Sequence, residues 1–102
     1  MSDVADGADA GSREGTWRVV ASSRFRRDLH RLPPRVAAAI VEFVTAVLPQ
    51  NPGRMTRPLV GQLDGFRSAR RGDYRVIVRL DDHARVVILP AVAHRAHAYR
   101  PS

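Results

Sequence analysis

Hydrophobic positions in the first half of the chain predict a short strand followed by two helices. Trp17, Val19 and Ala21 lie on one face of an alternating segment, which is typical of a half-buried strand. Ser22 or Ser23 is then placed to cap a helix, because a hydroxyl oxygen can accept a backbone N–H of the first turn. Apolar side chains follow at helical spacing in two stretches separated by a double proline: Phe25, Leu29 and Leu32, then Val36, Ile40, Phe43, Val44, Val47 and Leu48. Two helices joined by so short a break are expected to pack as a hairpin.

The second half of the chain alternates at the period of β-strands. Residues 66–71, 74–80 and 85–93 are predicted strands, separated by two tight turns. The preceding segment, 54–64, has little periodicity and is predicted as a loop. Pro90 lies inside the last strand and cannot donate a backbone hydrogen bond, so a bulge or an unpaired edge is expected there. The elements predict an α+β domain. Its antiparallel sheet is a three-stranded meander joined by the first strand, and the helical hairpin packs on one face.

Length and composition limit the domain organisation and the class of protein. The chain has 102 residues, enough for one domain. Residues 1–15 are rich in Gly, Ala and Asp and are predicted to be a disordered acidic tail, which leaves 16–102 as a single domain. The absence of cysteine excludes disulfides, thiolate zinc sites and a thiol nucleophile. No apolar run approaches the roughly 18 residues of a membrane span, and the N-terminus lacks a secretory pattern, so a soluble cytoplasmic protein is expected.

Positive charge is concentrated in the predicted domain and is carried by arginine alone. The net charge is +7, and all 17 basic residues are Arg. Residues 16–102 hold 16 Arg against six acidic side chains, a net of +10. Guanidinium is planar, permanently charged and able to bind phosphate through two donors. This charge indicates a polyanionic partner such as RNA, DNA or an acidic protein; the alternative is a basic surface that is merely solvated.

Strand alternation predicts where several of these arginines meet. In the predicted strand 74–80 the apolar positions must face the helices, so Arg75 and Arg79 face away from them. The tight turn before this strand places Arg70 or Arg71 beside Arg75. Guanidinium groups crowded in this way repel one another unless an anion lies among them, which favours an anion-binding face. The alternative is a solvated face on which nearby acids neutralise them: Asp73, Asp81 and Asp82.

The C-terminal segment adds side chains that suit phosphodiester chemistry without a metal. His94, Arg95, His97 and Tyr99 follow the last predicted strand, which should run beside the Arg75 strand. Arg can neutralise charge on a pentacoordinate phosphorus, His can move protons near neutral pH, and Tyr can stack on a base or share a proton. The two histidines could instead hold zinc, but no third ligand stands out. They are equally compatible with an exposed polar tail.

Several motifs along the chain stand in a characteristic order and spacing. Leu63-Asp64-Gly65 is followed by the run Arg70-Arg71-Gly72-Asp73-Tyr74-Arg75. The two resemble the L-x-G and R-x-G-D-Y-R core of the RelE/ParE toxins of type II toxin–antitoxin systems. The ending His94-Arg95…Tyr99-Arg100 is similar to the family's H-R…Y-R ending. The Leu-Pro-Pro break between the helices and the Asn-Pro pair after the second helix also occupy matching places, so the resemblance covers residues 17–100.

Resemblance to the RelE-like branch of this family implies a fold, an activity and partners. The fold is β-α-α-β-β-β. The activity is that of a ribosome-dependent endoribonuclease, which cuts mRNA in the ribosomal A site and so inhibits translation. In that reaction the ribose 2′-OH attacks the adjacent phosphate and leaves a 2′,3′-cyclic phosphate, with no metal and no other cofactor. An acidic RelB-like antitoxin is the implied protein partner, in a toxin–antitoxin hetero-oligomer.

The resemblance also implies roles for individual side chains. Arg75 and Arg95 bind the phosphate and neutralise charge in the transition state, and Tyr99 orients the nucleotide or takes part in proton transfer. Arg70 positions the RNA backbone. Four further side chains are assigned to RNA or phosphate binding: Arg67, Arg71, His94 and His97.

One departure from the family concerns the general base. Some RelE toxins have Lys on the second strand, where this chain has Phe66 and Ser68, and the chain has no Lys at all. Arg is too strongly protonated to accept a proton readily, so that role falls to Tyr99, His94 or His97. Two other functions stay open: a non-enzymatic ParE-like toxin that binds DNA gyrase, and an inactive relative that binds only its antitoxin or RNA.

Overall fold

The computed structural model describes residues 16–59 and 65–94, which form a sheet with helices on one side. The predicted tail, 1–15, lies outside the described residues. The elements in chain order are β1 (Arg18–Ala21), α1 (Ser23–His30), α2 (Pro34–Glu42), α3 (Pro52–Met55), β2 (Arg57–Pro58), β3 (Arg67–Arg71), β4 (Tyr74–Asp81) and β5 (Val86–His94). A π-helical turn (Phe43–Val47) and a 3₁₀ turn (Leu48–Gln50) continue α2.

The sheet has five strands in the order β1-β5-β4-β3-β2. The predicted meander is confirmed, because β3, β4 and β5 pair antiparallel with their neighbours. The first strand joins the sheet as predicted, and its direction, which the sequence left open, is parallel to β5. Parallel neighbours need a long crossover, and here the helices and three strands separate β1 from β5 along the chain. The segment predicted as a loop also holds β2, a two-residue strand paired with β3 at the opposite edge.

A single hydrophobic core joins the helices to one face of the sheet. Phe25 comes from α1 and Ile40 from α2, and both are fully buried against strand residues. The sheet contributes Ala69, Val76, Val78, Val87 and Leu89 to the same cluster. The alternation predicted for β4 is therefore confirmed, since its even-numbered apolar positions pack toward the helices. Arg75 and Arg79 are exposed on the other face.

The end of α2 departs from the predicted helical stripe at Val47. This side chain is 39% exposed, whereas Leu48 is fully buried. The Leu48 N–H donates to the Phe43 carbonyl five residues earlier, so the helix widens into a π-turn at this point. A wider turn rotates the residues that follow it, because the 3.6-residue period no longer holds. The prediction that Val47 belongs to the core stripe is wrong for this reason.

Pro90 marks a bulge in β5, as one of the two sequence alternatives predicted. The register with β4 shifts between Ile77 and Arg79, and Pro90 lies on the strand opposite this shift. The unpaired edge is also present, because pairing with β1 ends at Leu89 and leaves β5 without a strand neighbour on that side from Pro90 onward. The bulge accommodates a residue without an N–H and re-aims the remainder of the strand.

Two side chains, one at each end of α1, hold the bulged strand in place. Ser22 caps α1 by accepting the Phe25 N–H at 3.0 Å, and its own hydroxyl donates to the Pro90 carbonyl at 2.9 Å. Asp28 accepts the Val92 N–H at 2.9 Å. Pairing with β1 ends at Leu89, so the Asp28 carboxylate takes the place of a missing strand neighbour. The helix therefore fixes the end of β5 that leads into the C-terminal segment.

Replacement of Asp28 by Ala is expected to destabilise the protein by about 1–3 kcal/mol, because the Val92 N–H loses its acceptor. Asp28→Asn keeps an oxygen at the same place and is expected to cost less than half as much. The 3.9 Å ion pair between Asp28 and Arg24 is partly exposed and contributes little. Urea unfolding of the two variants measures the difference. Equal stability of Asp28→Ala and the parent protein would contradict the tethering role.

Candidate nucleic-acid interface

Five arginines share the face of the sheet that points away from the helical core. Register places them on this face, because each lies on β4 at an outward position or is linked to one by pairing across one or two strands. We call this set the arginine face: Arg18, Arg57, Arg70, Arg75 and Arg79. All five are exposed. The clustering of like charge on one surface is the electrostatic footprint of a protein that binds a polyanion.

Arg70 and Arg75 form the centre of this face. They are direct partners across the β3–β4 ladder, as the sequence predicted for one of the two arginines before the turn. The turn between them is tight because Gly72 adopts a left-handed conformation with φ of +62°. Like charges directly opposite each other destabilise a sheet, so this pair lowers stability unless an anion binds between the two groups.

The predicted alternative, neutralisation of these arginines by neighbouring acids, finds little support in the geometry. Asp81 accepts the Ala84 N–H at 3.0 Å and so serves its own turn. Arg70 donates a long 3.4 Å bond to the Gly72 carbonyl, which is a neutral acceptor. Among residues 16–59 and 65–94, no acidic side chain forms a salt bridge with Arg75. The Arg70–Arg75 pair thus keeps its charge available for an external anion.

The end of β5 lies beside the Arg70–Arg75 pair. Ala93 is the register partner of Arg75, and the described part of the chain ends one residue later. His94 pairs with Tyr74 across the ladder, and their rings meet edge to face at 5.0 Å. His94 is therefore on the side of the strand away from Arg75. Three predicted site residues lie outside the described residues: Arg95, His97 and Tyr99.

Arg67 lies on the helix-facing side of β3 and binds neutral acceptors of the α3 region. Its Nε donates to the Thr56 hydroxyl at 2.7 Å, and its Nη2 donates to the carbonyls of Gly53 and Thr56, each at 3.0 Å. Thr56 is itself buried and donates to the Pro52 carbonyl at 2.7 Å. This network joins β3 to the short helix. The network holds Arg67 apart from Arg70. We therefore do not include Arg67 among the arginines that we propose to bind phosphate.

Substitution of Arg67 by Lys is expected to destabilise the protein by about 1–3 kcal/mol, since an ammonium group cannot reproduce the planar fork and leaves buried Thr56 short of a partner. Thermal or urea unfolding measures this loss. Arg57→Lys on neighbouring β2 is the matched control, because Arg57 is exposed, and it is expected to unfold like the parent protein. Comparable stability of Arg67→Lys and Arg57→Lys would show that the network contributes nothing.

Arg71 also turns toward the helices, where its guanidinium lies over the Phe43 ring at 3.5 Å from the centroid. Phe43 is buried at the start of the π-turn of α2. A cation over an aromatic face in such a partly buried place is worth about 0.5–2 kcal/mol. Of the arginines assigned from the sequence to phosphate, the structure therefore brings Arg70 and Arg75 together and separates Arg67 and Arg71 from them.

Several side chains on this side of the sheet were not among the predicted site residues: Arg18, Arg57, Phe66 and Arg79. Arg79 lies four residues beyond Arg75 on β4, and its guanidinium carbon is 5.6 Å from the centre of the Phe66 ring. Strand alternation in the sequence placed Arg79 outward but left open which face of its strand carries Phe66. What the sequence could not supply was their mutual contact, since it depends on the β3–β4 register.

Metal chemistry and membrane insertion find no structural basis in the described part of the chain. No three His, Cys, Asp or Glu side chains of residues 16–59 and 65–94 are grouped so as to hold a metal ion. None of the helices within these ranges is long and apolar enough to cross a membrane.

Comparison with known proteins places the chain among bacterial toxins. Residues 19–99 match the family model described as the ParE toxin of the type II toxin–antitoxin system parDE. The toxin RelG of Mycobacterium tuberculosis is 51% identical over 84 residues, which cover 82% of this chain and 97% of the relative. The toxin RelE of the same organism is 47% identical over 90 residues, covering 87% of this chain and 92% of the relative.

Solved structures agree with this placement. A chain of the toxin–antitoxin complex RelBE2 from Mycobacterium tuberculosis superposes with a TM-score of 0.74 at 45% identity and covers 78% of this chain and 99% of its own length. A chain of the archaeal RelE–RelB complex from Pyrococcus horikoshii gives a TM-score of 0.59 at 26% identity, covering 81% of this chain and 99% of its own. The α+β fold and its mixed sheet are thus shared with proteins of known structure.

Proposed function

Because the chain belongs to the RelE/ParE toxin superfamily of type II toxin–antitoxin systems, we propose that it is a toxin that cleaves mRNA on the ribosome and so inhibits translation. The observation that carries this proposal is the Arg70–Arg75 pair, which presents two exposed guanidinium groups side by side on the face opposite the described helices. Relatives close to half identical in sequence are named RelE and RelG toxins, which supports the RelE-like branch.

The chemistry requires a group that stabilises negative charge on phosphorus. The ribose 2′-oxygen attacks the adjacent phosphate, the bond from phosphorus to the 5′-oxygen breaks, and the products are a 2′,3′-cyclic phosphate and a 5′-hydroxyl. The attacking hydroxyl loses one proton and the leaving oxygen gains one. Arg75 binds the non-bridging oxygens, whose charge rises in the pentacoordinate state, and Arg70 holds the neighbouring backbone phosphate.

The proton transfers belong to the segment after β5. In our proposal Arg95 adds positive charge at the phosphate, and Tyr99 orients the nucleotide or moves a proton. His97 is the alternative for proton transfer. The tether from Asp28 and the bulge at Pro90 support this assignment, since they fix the end of β5, where Ala93 lies opposite Arg75. No metal or other cofactor takes part in this reaction scheme.

A RelB-like antitoxin is the protein partner that the family implies, and structures of RelE–RelB complexes from two organisms share this fold. We propose that an acidic segment of such an antitoxin covers the arginine face in a toxin–antitoxin hetero-oligomer. Carboxylates would then occupy the places that RNA phosphates take in the free toxin. Inhibition follows directly, because the two polyanions compete for one surface.

A second candidate function is that of a non-enzymatic toxin that binds DNA gyrase, and the match to a family model named for ParE favours it. A basic face can bind an acidic protein surface as well as RNA, so charge alone does not separate the two. An inactive relative that binds only an antitoxin or RNA is the third possibility.

Controlled expression in a bacterial host separates these candidates. For a ribosome-dependent ribonuclease we expect growth arrest with rapid loss of translated mRNA and intact chromosomal DNA. A gyrase poison would instead arrest growth with DNA breaks and intact mRNA, and that result would contradict the proposal. Normal growth with a well-expressed, folded protein would favour the inactive relative. Arg75→Ala should relieve the growth arrest, and Arg35→Ala is its matched control. Arg35 is also an exposed arginine, but it lies on α2, away from the arginine face.

A further inference from the structure

Phe66 and Arg79 form a second feature of the arginine face, at the end away from the β3–β4 turn. Arg67 pairs with Val78, so Phe66 comes level with Arg79, on the same side as Ser68 and Arg70. The guanidinium carbon of Arg79 lies 5.6 Å from the Phe66 ring centre. Phe66 is half-buried and Arg79 is exposed, so part of each side chain is accessible.

The distance from this feature to the Arg70–Arg75 pair suits a strand of RNA. Arg75 and Arg79 are four residues apart on one strand, which corresponds to about 13 Å. Ile77 lies between them on the same face and is 1% exposed, so it offers no surface of its own to a ligand. The two ends of this stretch therefore present a cation at Arg75 and, at Arg79, a cation beside an aromatic ring. A few nucleotides of extended RNA span this length.

The chemistry of the Phe66–Arg79 pair favours a nucleobase over a phosphate or a carboxylate. Proteins hold unpaired bases by stacking them on aromatic rings and on the planes of guanidinium groups. An acidic peptide would gain from the Arg79 charge but nothing from a ring beside it. The ring also stands where some RelE toxins have Lys, so in this chain that position lacks a charge for the backbone and gains a surface for a base.

We propose that Phe66 and Arg79 form a stacking platform that holds one base of the RNA, a few nucleotides from the phosphate bound by Arg70 and Arg75. The platform deepens the proposed function, because it takes RNA as the ligand of the arginine face. It fixes the register of the strand on the protein, and a ring that prefers some bases over others biases where the strand is cut.

Binding of two short oligomers tests the platform with the full-length protein. The first is a fluorescent 2′-O-methyl hexaadenylate, which cannot be cleaved because it lacks the nucleophile. The second is an abasic hexamer with the same number of phosphates. Phe66→Ala is expected to weaken binding of the hexaadenylate about tenfold and to leave binding of the abasic hexamer unchanged. Arg79→Ala is expected to weaken both, since it removes charge as well as a stacking surface.

Three further variants make the result specific. Phe66→Tyr keeps the ring and is expected to bind like the parent protein, whereas Phe66→Leu keeps apolar bulk and is expected to behave like Phe66→Ala. Val20→Ala is the matched control for truncation of an accessible apolar side chain, because Val20 is 47% exposed on the same face of β1. Full affinity of Phe66→Leu for the hexaadenylate would overturn the platform, as would an equal loss of affinity for both oligomers.

The platform and the proposed function can fail separately. If Phe66→Ala binds both oligomers like the parent protein while the parent cleaves mRNA, the platform is wrong and the ribonuclease proposal stands. If the base-dependent effect of Phe66 is present but mRNA remains intact with ribosomes, the platform stands and the ribonuclease proposal fails. Polyglutamate tests the alternative of an acidic protein as the ligand. If Phe66→Ala weakens polyglutamate binding as much as it weakens hexaadenylate binding, the pair binds an acidic protein and the platform is wrong.

Discussion

Replacement of Arg75 by Ala is expected to lower the rate of mRNA cleavage by about 100- to 1,000-fold, the usual effect of removing one group that stabilises transition-state charge. Arg75 is exposed and lies directly opposite Arg70, so its guanidinium is free to follow the non-bridging oxygens as their charge develops. Arg75→Lys keeps the charge but loses the two-donor fork, and we expect an intermediate rate. Single-turnover cleavage in a reconstituted translation reaction measures these rates.

The same substitution is expected to leave the fold at least as stable as before. Arg75 is exposed and lies outside the core cluster, and its removal relieves the repulsion across the β3–β4 ladder. The unfolding midpoint of Arg75→Ala should therefore equal or exceed that of the parent protein. Loss of activity without loss of stability is the signature of a residue kept for function. A variant that unfolds early, or one that cleaves mRNA at the parent rate, would contradict this role.

Salt is expected to weaken RNA binding steeply. Each phosphate neutralised on a single strand contributes a slope of about −0.7 to the plot of log affinity against log salt, so a strand that contacts all five arginines of the face gives a slope of about −3.5. Affinity should then fall about 100-fold between 50 and 200 mM salt. Fluorescence anisotropy with the uncleavable hexaadenylate, repeated across this range, measures the slope.

Single substitutions assign that slope to particular arginines. Arg75→Ala is expected to reduce its magnitude by about 0.7, one phosphate contact. Arg35→Ala changes the net charge equally but lies on α2, and should leave the slope almost unchanged. Equal effects of the two substitutions would mean that overall charge, and not the arginine face, binds the RNA.

The centre of the site follows from local rules that a sequence displays. A tight turn at Gly72 fixes which residues of β3 and β4 are opposite each other, and alternation then sends Arg70 and Arg75 to the face away from the apolar positions. Pro90 likewise predicted the bulge, because a residue without an N–H cannot donate a hydrogen bond to a neighbouring strand. These features depend on neighbours within a few residues along the chain.

Other features depend on partners far away along the chain, and the sequence alone leaves them open. Arg67 and Arg70 are three residues apart and chemically identical, yet Arg67 binds a buried threonine eleven residues earlier. The parallel pairing of β1 with β5 joins residues 68 positions apart, such as Arg18 and Val86. No local pattern distinguishes such an arginine from one that binds RNA, since tertiary contacts decide where its donors go.

The most direct test of the central proposal is the mapping of mRNA ends in a reconstituted translation reaction, with and without ribosomes. With the parent protein we expect new 5′ ends inside translated codons when ribosomes are present and none when they are omitted. The upstream fragments should carry 2′,3′-cyclic phosphates, and the cuts should largely disappear with Arg75→Ala. Intact mRNA in the presence of translating ribosomes and folded protein would contradict the assignment of this chain as a ribosome-dependent endoribonuclease.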